Sequence, residues 1–228
     1  MSSNISVIIP ALNERESIGQ VVRSMPWSSI DECIVVDNGS TDGTGALAAA
    51  AGARVIKAPR GYGSAMSAGV RAALPTSDVL LFMDGDGADA IEEMPRLIDP
   101  IRAGEADFVL ASRIKGRERG AMLPSQVFAA YLISGLVRAL YGFKYTDMAA
   151  FRAIRRESLE AMDMSEMTFG WNLEMQIKAV QMSLRIREVP MVYRRRIGGE
   201  SKVSGNMRAS FQAASRILGV FLRVRRKR

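Results

Sequence analysis

Histidine is absent from all 228 residues. Its absence removes every His-dependent triad, every His metal site and the usual general base near neutral pH. Cysteine occurs once, as Cys33 in the apolar run Cys33-Ile34-Val35-Val36, where it reads as a small buried hydrophobe. A single cysteine excludes an internal disulfide, which suits a reducing compartment. Any metal ion must therefore be held by oxygen. No stretch of about 18 apolar residues occurs, so a spanning helix is not expected. Met1-Ser2-Ser3-Asn4 carries no basic segment followed by an apolar core, so no signal peptide is expected. Internal repeats and low-complexity segments are also missing.

Positive charge is in excess, and it is unevenly placed. The net charge is +7. From Arg185 to Arg228 there are 13 Lys and Arg against only Glu188 and Glu200, whereas residues 1–184 carry 18 basic and 22 acidic residues. Such a block suits an anionic surface, a phosphorylated ligand or nucleic acid. Met207, Phe211, Ala214, Leu218 and Phe221 fall on one face of a helix over 207–228, and five of the last six residues are basic. This tail has no interleaved aromatics and no reading motif, so specific nucleic-acid binding is not expected.

The length suits one full-sized domain with an appendage. Ser6–Pro10, Glu32–Val36, Arg54–Lys57, Val79–Met83 and Asp107–Ala111 read as strands, with helical stretches between them. That alternation over residues 5–111 predicts a mostly parallel sheet flanked by helices, an α/β class in which ligands bind at the C-terminal ends of strands. Asn13 is the expected cap of the first helix. Three acidic turns fall on the ligand-binding edge: Pro10–Glu14, Asp37–Asp42 and Asp84-Gly85-Asp86. Taken alone, Asp84-Gly85-Asp86 is an ordinary turn. At the end of a buried strand its two carboxylates repel unless a cation or positive partner lies between them. Hard divalent ions suit such a pair, especially where a phosphate completes the shell.

The second half reads differently. Ser112–Gly120 is a charged loop. Leu123–Leu140 is apolar but interrupted by polar residues, and suits an interface helix over 123–141. Ala149–Ile154 is an expected strand, Thr168–Asn172 opens a helix, and Leu184–Tyr193 resembles an edge strand broken by Pro190.

Val7-Ile8-Ile9-Pro10-Ala11-Leu12-Asn13-Glu14, Val35-Val36-Asp37-Asn38-Gly39-Ser40-Thr41-Asp42-Gly43-Thr44 and Met83-Asp84-Gly85-Asp86 occur in this order at suitable spacing. Together they resemble the family 2 glycosyltransferases of GT-A fold. Asp147–Arg152, Trp171-Asn172-Leu173-Glu174, Glu188-Val189-Pro190 and Gly199-Glu200-Ser201-Lys202 resemble its dolichyl-phosphate mannose synthase-like, or polyprenyl-phosphate, branch. The match spans roughly residues 5–204.

The resemblance implies inverting transfer of a hexose from a GDP- or UDP-sugar to a polyprenyl phosphate, with Mg2+ or Mn2+, on the cytoplasmic face of a membrane. It implies a domain over 1–205 and a basic tail over 206–228. Asp84 and Asp86 become the metal ligands. Pro10, Ala11, Asn13, Glu14, Asp37, Gly39, Asp84, Gly85, Arg196 and Lys202 become contacts to the nucleotide-sugar and its phosphates. Asp86, Asp89, Arg113, Asp147 and Arg152 become the catalytic set, with Arg113, Arg152, Arg196 and Lys202 meeting phosphates. A phosphate acceptor is already an anion, which fits a site without histidine; a hydroxyl acceptor would need a carboxylate base such as Asp89 or Asp147. A non-catalytic basic phosphate-binding protein is a further alternative. Partnership with itself or with a separate membrane protein stays open. Two departures stand out: Ala88-Asp89 follows the acidic pair where relatives often carry Gln or His, and Tyr62 stands where Lys or Asn is common.

Overall fold

The computed structural model describes residues 4–198 and 219–221. Seven strands form one sheet: β1 (Asn4–Ala11), β2 (Glu32–Asp37), β3 (Arg54–Lys57), β4 (Ser77–Phe82), β5 (Phe108–Ser112), β6 (Arg152–Arg155) and β7 (Ile186–Pro190). Their spatial order is β3-β2-β1-β4-β6-β5-β7, and β6 alone runs antiparallel to its neighbours.

The strands are apolar at nearly every position because both faces of the sheet are covered. Alternation sends Val7, Ile9, Val35, Leu81 and Val109 to one face, under α1 (Ile18–Arg23), α2 (Thr44–Ala50) and α4 (Pro95–Arg102). Ile8, Ile34, Leu80, Phe82 and Phe108 go to the other, under α3 (Tyr62–Ala72), α6 (Pro124–Tyr141) and α8 (Trp171–Gln181). Short helices α5 (Arg113–Gly116) and α7 (Arg156–Ala161) complete the described elements. Gly69 lets α3 approach β1: a Cβ there would collide with Ile8 Cγ2.

Pro10 sits within central β1 without breaking it. The Ile8 carbonyl faces β4 and the Ala11 carbonyl faces β2. Pro10 therefore turns its missing N–H toward β4, whose pairing with β1 ends at Phe82.

β6 enters the sheet between β4 and β5. One expectation is corrected. Asn13 does not cap α1, which starts after Ser17; Asn13 adopts φ +52° and bridges two loops instead, accepting from the Thr41 N–H at 2.9 Å and drawing its own N–H to Ser40 Oγ at 3.0 Å. The helix α7 was not expected. The stretch over 123–141 forms the helix α6, whereas the tail over 206–228 lies outside the described residues except for 219–221. There Val220 and Phe221 are buried against the α6/α8 face, with Phe221 stacked on Tyr141.

Candidate active site

The C-terminal ends of β1, β2 and β4 bring three loops together. After β2, Asp37 Oδ1 accepts the N–H groups of Gly39 (3.2 Å) and Ser40 (2.7 Å), closing a turn in which Gly39 has φ +93°. No hydrogen bond engages Asp37 Oδ2 within the described residues. Asp42 accepts from Thr44, inside the same turn. In the loop after β1, the Glu14 N–H donates to Thr44 Oγ1 at 2.9 Å, and the Glu14 side chain is buried. Ala11 is buried too, so it and Pro10 offer backbone rather than side chain at this edge. Ser17 Oγ donates to the Gly85 carbonyl at 2.8 Å, tying this loop to the acidic turn.

The acidic turn after β4 gathers Asp84, Asp86 and Asp89. Gly85 keeps it tight, since a Cβ there would come within 3.2 Å of Ile18 and 3.3 Å of Ile9. Asp86 Oδ1 accepts the Ala88 N–H at 2.9 Å, and Asp89 Oδ2 accepts the Asp84 N–H at 3.3 Å. Burial pushes the Asp84 carboxyl up to about 7, helped by the Asp86 charge and opposed by Arg113 and Arg196. Burial, then Asp84 and Asp86, likewise raise Asp89. Burial, added to mutual repulsion, thus works against ionisation of Asp84 and Asp89, with Arg113 opposing it at both and Arg196 at Asp84.

Two arginines from the second half face them. Segment 191–198 crosses the turn like a strap, with the Arg194 N–H on the Ala88 carbonyl (2.8 Å) and the Ile197 N–H on the Asp86 carbonyl (2.9 Å). It delivers Arg196, whose Nη2 lies 2.8 Å from Asp86 Oδ2 and 3.8 Å from Glu14. Arg113, just after β5, is gripped by Asp147 at both ends: Nε to Oδ2 and Nη2 to Oδ1, each 2.8 Å. The Tyr193 ring lies 5.2 Å from its guanidinium carbon.

Two expected catalytic residues are corrected by these contacts. Asp147 is fully buried, and its oxygens serve Arg113 and the Met148 N–H. Burial raises its pKa, but Arg113 and these hydrogen bonds outweigh that and hold it below the usual carboxylate range, so it is a poor base. Arg152 begins β6 at the right edge, opposite Phe82 and Leu110. Strand alternation sends its side chain beneath α8, however, where it has no exposure and donates to the Ala149 and Asn172 carbonyls. Burial lowers its pKa to about 10. These two carbonyls hold its guanidinium beneath α8.

Lys202 and the segment Gly199–Lys202 lie outside the described residues. Trp171 is core. Glu174 is buried, accepting from Ser165 and Glu166 and pairing with Lys178.

Sequence reasoning missed Ser17 and Tyr193 as parts of this edge, named Glu188 only within a family motif, and did not pair Tyr62 with Asn172, whose Nδ2 lies 3.4 Å from the Tyr62 hydroxyl. Tyr62, the first residue of α3, and the Glu188 motif were the local signals. The others act through partners far away in the chain.

The residues that follow Arg113 in the chain line a groove of about 730 Å³: Lys115, Arg117, Glu118 and Arg119, together with Met122, Phe128 and Tyr131. It continues onto α6. That helix buries Ala130, Ile133, Ser134 and Val137 yet leaves Phe128 69%, Tyr131 58% and Leu132 53% exposed. Among the described residues no helix is long and apolar enough to cross a membrane.

Acidic strand ends facing arginines on an α/β sheet suit a phosphorylated ligand. The family model for glycosyl transferase family 2 matches residues 6–162, and the chain belongs to that family. It is a glycosyltransferase. An uncharacterised glycosyltransferase of Mycobacterium tuberculosis is 35% identical over 214 residues, covering 92% of this chain and 94% of the relative. The undecaprenyl-phosphate mannosyltransferase of Micrococcus luteus is 34% identical, covering 89% and 88%. Glucosyl-3-phosphoglycerate synthase of M. tuberculosis, solved with Mn2+, UDP-glucose and phosphoglyceric acid, superposes with a TM-score of 0.76 at 25% identity, covering 96% of this chain and 79% of that one.

Proposed function

We propose that this enzyme transfers a hexose, with inversion, from a nucleoside-diphosphate sugar to a polyprenyl phosphate at a membrane surface. The groove that follows Arg113 in the chain carries this reading. It joins Lys115, Arg117 and Arg119, with one acid, Glu118, to the exposed apolar face of α6, which suits an anionic head on a long hydrocarbon chain. The name of the Micrococcus luteus relative points the same way. Residues 1–205 would form the catalytic domain and 206–228 a basic tail toward anionic lipid, on the cytoplasmic face.

The donor would bind along the β1–β2–β4 edge. Asp37 Oδ2, Glu14 and the backbone of Pro10, Ala11, Asn13 and Gly39 are placed for nucleoside, and Arg196 and Lys202 for diphosphate. Asp84 and Asp86 offer oxygen ligands alone, crowded enough to favour a cation, and so fit Mg2+ or Mn2+. Among the described residues no three His, Cys, Asp or Glu side chains converge to hold an ion by themselves, so diphosphate oxygens would complete the shell. When bound, the ion supplies charge neutralisation for the leaving diphosphate. Arg196 would turn from Asp86 toward those phosphates.

In the transfer, an acceptor phosphate oxygen attacks the anomeric carbon. The bond from that carbon to the diphosphate oxygen breaks, and the diphosphate leaves with the electron pair. No proton has to be removed, which suits a chain without histidine and with Asp147 committed to Arg113. Arg113 would orient the acceptor phosphate, with Asp89 supporting the acidic turn.

GDP- and UDP-sugars tested against undecaprenyl phosphate in anionic vesicles, with Mn2+ and mass-spectrometric readout, check this. The expected product is a polyprenyl monophosphate hexose. Product on hydroxyl acceptors alone would overturn the acceptor, and protein that stays in the supernatant when the vesicles are sedimented would remove the membrane surface.

A further inference from the structure

Glu188 is an acidic residue in a basic stretch, and it faces inward. It is the third residue of β7, opposite Leu110 of β5. Its carboxylate accepts two consecutive backbone N–H groups: Thr146, at 2.9 and 3.1 Å, and Asp147, at 3.1 Å. Those groups belong to segment 142–151, which has neither helix nor strand. Backbone without a ladder must find its hydrogen bonds elsewhere, and an ionised acceptor makes strong ones. Ser112 Oγ lies 2.6 Å from Thr146 Oγ1, and Gln176 Nε2 donates to the Asp147 carbonyl at 2.9 Å. The segment is thus held from β5, β7 and α8 at once.

What these anchors hold in place is the Asp147 carboxylate. It fixes Arg113 through Nε, Nη2 and the backbone N–H. Nη1 of Arg113 carries no hydrogen bond among the described residues, the side chain is 21% exposed, and the next residues, Ile114 and Lys115, line the basic groove. A fork pinned along one edge keeps the other at a fixed angle, which is how an arginine is preorganised for an anion.

We propose that Glu188 is a positioning residue for the acceptor: it fixes Asp147, and through it aims Arg113 at the acceptor phosphate. This rests on the reading of Arg113 as an acceptor contact. The role depends on an oxygen that accepts both N–H groups more than on the charge. Glutamine should therefore preserve it and alanine should not.

The test is steady-state kinetics of wild type, Glu188→Ala and Glu188→Gln, with KM measured separately for undecaprenyl phosphate and for the nucleotide-sugar. Glu188→Ala should raise the acceptor KM roughly tenfold, the scale of one lost charge-assisted hydrogen bond, and leave the donor KM unchanged. Glu188→Gln should stay within about threefold of wild type for both, because its amide oxygen still accepts. Should Glu188→Ala not fold, Glu188→Asp, one methylene short of both N–H groups, carries the same contrast. Unchanged acceptor KM in the shortened variants, or donor and acceptor KM rising together, would overturn the proposal. Wild type that turns over no polyprenyl phosphate overturns the acceptor reading itself, and Glu188 falls with it; wild-type turnover with an unmoved acceptor KM overturns Glu188 alone.

Discussion

The two halves of this site are built in opposite ways. In the acidic half, Asp37, Asp84 and Asp86 stand at or just beyond the ends of parallel strands, and the bonds that close their turns stay within a few residues: Asp37 to Ser40, Asp86 to Ala88, Asp89 to Asp84. On the basic side every main contact is long in sequence. Arg113 meets Asp147 34 residues away, Thr146 meets Glu188 at 42, and Arg196 meets Asp86 at 110. Fold topology alone therefore sets where the acids stand. The arginines depend on contacts between segments far apart in the chain. The acidic edge should tolerate loss of a side chain without loss of fold, and the basic edge should not.

Asp86→Ala is the strongest way to break that contrast. It removes a proposed metal ligand from a tight turn whose backbone is held by Ser17 and the strap. Turnover with Mn2+ should fall by about a hundredfold or more, as when a charge-stabilising group is lost from an active site. Circular dichroism and cooperative urea unfolding should remain those of a folded protein. Full activity, or activity retained in excess EDTA, would remove the metal from the donor side.

Asp147→Asn probes the other half, and stability is its readout. Breaking a buried pair leaves a charge uncompensated, at a cost of about 3–5 kcal/mol, nearer the lower end here because Arg113 is partly exposed. Urea denaturation measures it. The pH dependence adds a second signature. Arg113 and the backbone donors hold Asp147 below its ordinary range despite burial. Its contribution is therefore present above the unfolded value near 4 and is lost as pH falls below it. Wild type should lose stability through this acid range, and Asp147→Asn should lose less. A variant as stable as wild type, with the same acid limb, would mean that the basic edge is as local as the acidic one.

The same difference in range explains what could be read from the chain beforehand. Strands β1–β5, the flanking helices and the acidic strand ends were legible because apolar periodicity and turn residues act locally. Pro190 marked the end of an edge strand correctly. Insertion of β6 between β4 and β5 was not legible, because nothing near Arg152 records which strands it will pair with. Arg152 and Asp147 were misread for one reason: type and spacing announce charge, but burial and partners decide whether that charge meets a ligand or another side chain. Asn13 failed as a cap because its partners lie in the next loop, at Ser40 and Thr41. Glu188 stood out only as part of the Glu188-Val189-Pro190 motif, without its partners at Thr146 and Asp147, and Tyr193 gave no local signal.

The strap holds the finest comparison, between two arginines two residues apart. Arg196 reaches Asp86 and Glu14, whose side chains are nearly buried. Arg194 pairs with Glu92 in the open, where the two side chains are 41% and 61% exposed. Screening and side-chain entropy leave such a surface pair worth about 0–1 kcal/mol. Arg196→Ala should lower kcat/KM roughly tenfold through one lost charge-assisted contact. Arg194→Ala should leave kcat/KM within about twofold and shift urea stability by less than about 1 kcal/mol. If the two variants fell equally in kcat/KM, the strap would be acting through its summed positive charge, and raising the salt concentration would erase both effects together. If only Arg196→Ala falls, and the loss persists in high salt, its guanidinium acts by direct, partly buried contact, and the acidic turn has a partner aimed at it from 110 residues away.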